Sequence, residues 1–164
     1  MIKLGEWAAV AEIVGAAGII GSLIFVGTEI QQNTSAIRTA TVQAIADQAT
    51  TIGLAYATDN RLADLYVQLA NIEYDQAWAD EIPRADLLRV DQAVRAQLRR
   101  VENVYLHVQG GALESAALDR IGYGWYTTPY ILGYWQLARS GFDAEFADFM
   151  DKKLSEALRS RQER

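Results

Sequence analysis

Few side chains in this sequence have types and spacings that carry chemistry. His107 is the single histidine and cysteine is absent, which removes disulfides, thiolate zinc sites, iron–sulfur clusters and thiol catalysis together. On the helix opened by Asp80 and Pro83 and ended by Gly110 and Gly111, His107 projects opposite the apolar stripe, beside Asn103 and Arg100. That is the setting of a solvated imidazole, not of a base oriented by a carboxylate. Asp148 and Asp151 stand at helical spacing, where two carboxylates face water more often than they meet across a site. Phosphate-cradling glycine motifs, nucleophile elbows and paired catalytic carboxylates are missing. The expectation is a protein that is not an enzyme, with no catalytic residue, no cofactor and no metal.

Two constellations point instead to contact. Tyr123, Trp125, Tyr126, Tyr130, Tyr134 and Trp135 gather half of the chain's eight tyrosines and half of its four tryptophans into one short segment, interleaved with Gly122, Gly124, Pro129 and Gly133. Such a cluster serves ordinary helix packing, or forms a surface for a partner, a bilayer interface or an apolar ligand. Near the N-terminus, Ala11, Gly15, Gly18 and Ser22 fall at spacings of four, three and four, drawing a small-residue stripe down one side of a helix. Ala17 and Gly21 repeat the spacing beside it. In lipid, helices associate where small residues let their backbones approach, so the stripe predicts a partner helix. Glu12 flanks the stripe and sits within snorkelling reach of the headgroups.

These groups need elements to hold them. Residues 7–28 carry one charge, Glu12, and at 1.5 Å per residue a helix of that length covers roughly 33 Å, enough to cross a bilayer. No small-x-small cleavage site follows, which argues for an uncleaved anchor over a secretory signal, and Trp7 stands where an interfacial aromatic would. The helix is expected to continue as a stalk over 30–58, with Ile30, Thr34, Ile37, Thr41, Ile45, Gln48, Ile52 and Ala55 recurring at three and four. Asp59 and Asn60 supply turn chemistry, and Leu62, Leu65, Tyr66, Leu69 and Ile72 mark a second helix. The stripe Leu87, Val90, Val94, Leu98, Val101, Tyr105 and Val108 makes the next helix the spine of the domain. Two shorter helices are expected over 114–122 and 129–140, and a last one buries Phe142, Phe146, Phe149, Met150 and Leu154. Nothing alternates with period two, so the fold class is all-α: an N-terminal transmembrane anchor (1–29), a stalk helix (30–58) and a small soluble helical bundle (59–164).

Composition fits this division. The chain of 164 residues is 51% hydrophobic with a mean hydropathy of −0.03, because its apolar residues gather at one end and in amphipathic stripes. A net charge of −6 leaves no field of cations for nucleic acid. The positive-inside rule is nearly silent, since Lys3 is opposed by Glu6, and Arg38 by Glu29 and Asp47.

Glu6-Trp7, Ala11-Glu12-Ile13-Val14-Gly15, Ser22-Leu23-Ile24-Phe25-Val26-Gly27 and Ile30-Gln31-Gln32-Asn33-Thr34, with Arg38 beyond, resemble the opening of a widespread, uncharacterised family of bacterial single-pass membrane proteins. In that family an anchor of this type precedes a Q-x-x-NT-type stretch and a helical domain. The resemblance implies the bacterial inner membrane and a lean toward a cytoplasmic domain; Gln31 stands where members often carry Arg. No activity comes with it. The expected partners are membrane lipid and other transmembrane helices, in an accessory subunit of a larger inner-membrane complex, energy-transducing complexes among the candidates. The rival readings are a sensor or carrier of an apolar ligand at the aromatic segment, and a homo-oligomer or pore.

Overall fold

The computed structural model describes residues 4–74 and 76–163; Lys3, at the start of the expected anchor, and Arg164 lie outside them. The protein is all-α, and no strand occurs among the described residues. A first helix, α1 (Leu4–Thr58), is followed by α2 (Asn60–Leu69), α3 (Gln76–Glu81), α4 (Arg84–Gln109), α5 (Ala116–Asp119), α6 (Pro129–Ala138) and α7 (Ala144–Gln162). Single 3₁₀ turns at Trp125–Thr127 and Arg139–Gly141 bracket α6. The chain divides into two units, Met1–Ala40 and Thr41–Arg164.

Helix boundaries in the second unit follow local chemistry. Asp59 caps α2, its Oδ1 accepting the Leu62 N–H at 3.0 Å, and Asp143 caps α7 by accepting from Phe146 at 3.0 Å. Each satisfies a donor that the first turn leaves without a carbonyl. Pro83 precedes α4 and Pro129 opens α6, where a fixed φ helps and the missing N–H costs nothing. Gly110 ends α4, and Gly111 takes the positive φ of 71° that turns the chain away.

α4 is the spine. Val90, Val94, Leu98 and Val101 are fully buried, with Tyr105 close behind, while Leu87 and Val108 at the ends of the stripe are half-buried. Against them pack Leu65 and Leu69 from α2, Tyr130, Ile131, Tyr134 and Trp135 from α6, and Phe146, Met150 and Leu154 from α7. Polar ties fix how these helices meet. Asp86, buried on α4, accepts from Arg61 of α2 at 2.7 and 2.9 Å and from Arg89 at 2.9 Å. Glu102, also buried, accepts the Asp143 N–H at 2.8 Å and pairs with Arg99. Arg99 in turn donates to the Gly141 carbonyl at 2.7 Å and lies over the Phe142 ring at 4.2 Å, clamping the entry to α7.

The sequence reading differs from the structure in places. α3 went unpredicted, the helix expected over 114–122 is the single turn α5, and Trp125–Thr127 forms a 3₁₀ turn. Within the second unit, α1 half-buries Thr41, Ile45, Ile52 and Tyr56, and leaves Gln48 and Ala55 exposed. Tyr56 replaces Ala55 on the inner face because its ring finds Tyr66 of α2, edge-on at 4.7 Å.

Candidate functional site

In the first unit, α1 is one helix long and apolar enough to cross a membrane, and none of its apolar window is buried. Ile13, Val14, Ile19, Ile20, Leu23, Ile24, Phe25 and Val26 are between 50 and 69% exposed. These positions go all the way round a helix, so a single partner face cannot cover them. The hydroxyls in the same stretch need no water: Ser22 donates to the Gly18 carbonyl at 2.9 Å and Thr28 to the Phe25 carbonyl at 2.7 Å. Ala11, Gly15, Gly18 and Ser22 are exposed, and a Cβ added at Gly15 or Gly18 would meet nothing within 4 Å. Glu12 and Trp7 are exposed as well.

The aromatic segment is brought together differently from the surface considered above. Tyr126, Tyr130, Tyr134 and Trp135 belong to the core, and only Tyr123 and Trp125 are half-exposed. The cause is the turn and helix start around Pro129, which puts Tyr130, Tyr134 and Trp135 on the inner side of α6. Gly133 permits close approach: a Cβ there would stand 2.7 Å from the Tyr74 Cβ. The polar tips are used internally. Tyr134 donates to Asp91 at 2.8 Å, and the Trp135 indole donates to Asp151 at 2.7 Å. Trp125 stacks on Tyr66 at 5.4 Å and 11°. Burial raises the phenols of Tyr123, Tyr130 and Tyr134, Tyr123 to about 12. The Tyr123 hydroxyl is buried without a hydrogen-bond partner among the described residues, and Lys153 lies 6.0 Å from its ring centre.

The remaining candidates are placed as follows. His107 is exposed on α4. Asp148 and Asp151 face water, Asp148 being exposed and Asp151 half-exposed, and both reach the Arg139 Nη2, at 3.3 and 2.9 Å. Among the described residues no group of three His, Cys, Asp or Glu side chains is placed to hold a metal ion.

Sequence reasoning missed one feature. In the second unit a cleft of about 210 Å³ opens between Val42 and Ile45 of α1, Arg100 and Val104 of α4, and Leu113, Ala117, Arg120 and Ile121 around α5. Its lining comes from three stretches far apart in sequence, and no helical period signals it. No carboxylate lines it.

No family model matches the sequence, and no curated protein or solved structure is similar to it.

Proposed function

We propose that the protein is held in a lipid bilayer by residues 11–28 and acts by association, without chemistry of its own, as an accessory or structural subunit of a larger membrane complex. The observation that carries this reading is the apolar surface of residues 13–26, exposed on every side. At roughly 1.5–3 kcal/mol for each large apolar side chain moved out of water, eight such residues represent on the order of 10 kcal/mol or more. A bilayer supplies that burial all round. The back-bonded Ser22 and Thr28 suit the same environment. The small stripe gives such a helix a place for close contact with another, and N-terminal resemblance supports the bacterial inner membrane as the setting.

The test is extraction from native membranes in mild detergent, gel filtration, and mass spectrometry of everything that co-purifies. The expected result is release only by detergent, in a particle with a fixed set of other membrane proteins. Recovery in the soluble fraction overturns the membrane reading. A lone species at an integral multiple of 18.2 kDa keeps the anchor and replaces the accessory role by self-assembly.

A further inference from the structure

We propose that the cleft between α1, α4 and α5 in the second unit binds a single-chain anionic amphiphile, a long-chain carboxylate, with its chain among the apolar side chains and its head between Arg100 and Arg120. The lining divides as such a ligand does: Val42, Ile45, Val104, Leu113, Ala117 and Ile121 are apolar, and the two arginines are the only charged residues among them. Val42 remains 55% exposed and Ile45 half-exposed, so the walls are open to an occupant.

Charge complementarity selects the head group. This is an acidic chain, with 21 carboxylates against 15 lysines and arginines. Some of its arginines, Arg61, Arg89, Arg95, Arg99 and Arg139, pair with carboxylates, while others, such as Arg84 and Arg161, form no ion pair among the described residues. Arg100 and Arg120 have no carboxylate within ion-pair distance among the described residues. Arg100 interacts with the Tyr126 phenol, which burial holds neutral, so its charge stays uncompensated. Two guanidiniums without a paired carboxylate, both lining one apolar cleft, suit the recognition of a carboxylate. The inference concerns the second unit alone and holds whether or not the first unit sits in a membrane.

The experiment uses the full chain in nanodiscs of phosphatidylcholine and dodecanoate bearing a terminal diazirine. After photolysis, label is expected in peptides containing Val42, Ile45 or residues 113–121. Excess dodecanoate should remove it and methyl dodecanoate should not. The double variant R100Q/R120Q should lower cleft labelling about tenfold, with unspecific labelling of residues 11–28 unchanged as the reconstitution control. R120Q alone, a change at an exposed side chain, should lower it severalfold and guards against misfolding of the double variant. Label confined to residues 11–28, equal competition by the methyl ester, or labelling unaffected in both variants overturns the proposal. So does a cleft closed by a second copy of the chain, seen as a dimer whose dissociation is needed before any label enters.

Discussion

Gly133 on α6 lies against Tyr74 so closely that a Cβ at residue 133 would stand 2.7 Å from the Tyr74 Cβ and 3.5 Å from its carbonyl oxygen. The contact joins the loop after α2 to α6, and the Tyr74 ring meets Tyr130 and Tyr134 edge-on at 5.1 and 5.9 Å. A Cβ is fixed to the backbone, so relief requires moving the loop or the helix. G133A is expected to destabilise the protein by about 1–3 kcal/mol, although alanine is the better helix former. Thermal unfolding followed by circular dichroism measures this; an unchanged or raised midpoint would show that the loop yields freely.

Asp86 tests the tie between α2 and α4. The hydrogen bond from Arg61 is the main reason its carboxyl lies below the ordinary value of 3.8, with burial opposing and Arg89 assisting. A carboxyl held low when folded binds fewer protons folded than unfolded. Its contribution to stability is therefore present above the ordinary value and lost as the pH falls from there through the folded value. D86N should lower the unfolding midpoint at neutral pH, and the gap from the parent should close as the pH is taken below 3.8. A gap that does not change with pH would mean that the ion pairs contribute nothing.

Glu102 is the pivot between α4 and the start of α7. E102A leaves the Asp143 N–H without its acceptor and Arg99 without its carboxylate partner, at a cost of about 1–3 kcal/mol. E102Q retains an acceptor for the Asp143 N–H and should cost less. Hydrogen exchange locates the effect: protection should fall first at residues 143–147. Uniform loss of protection across the second unit would show that Glu102 holds no particular helix end.

The stripe on α1 makes an unusually clean test of association. A Cβ added at Gly15 or Gly18 meets nothing within 4 Å, so an effect of G15L/G18L on particle size reads contact with another helix. Under the proposed function the complex dissociates, or retains its partners at least tenfold less well, while the second unit melts as before. A complex of unchanged size and composition removes the stripe from the interface.

How much of this was legible beforehand depended on what each feature's signal is made of. The stripe on α4 was readable because one helix buries one face continuously, and Leu87 to Val108 keep that period to both ends. The turn at Asp59, the start at Pro83 and the stop at Gly110 are local chemistry, visible within a few residues; the cap at Asp143 is equally local but has no such mark in the sequence reading. The aromatic segment was visible as composition only. Which rings enter the core is decided by Tyr74, Asp91 and Asp151, brought there from other elements. The sequence pattern puts Arg100 on the polar face of α4 and gives Arg120 no distinguishing signal. The cleft between them depends on α1, α4 and α5 meeting, and no window of sequence contains all three.

Tyr56 and Tyr123 give the alkaline counterpart of the Asp86 test. Burial raises both phenols from 10.0 to about 12; for Tyr56 a hydrogen bond with Gln97 opposes the shift, and the neighbouring Tyr66 adds to it. A phenol raised in the folded state keeps its proton there after the unfolded chain has lost it. Its stabilising contribution is complete below 10 and is lost as the pH rises from 10 to about 12. Spectrophotometric titration should show tyrosine ionisation delayed beyond the ordinary value and coinciding with loss of helicity. Y56F removes one of the groups that titrate late and should move that unfolding to higher pH. All eight tyrosines ionising in one phase with helicity intact would show that these rings are open to water, and would contradict the packing of Tyr56 on Tyr66.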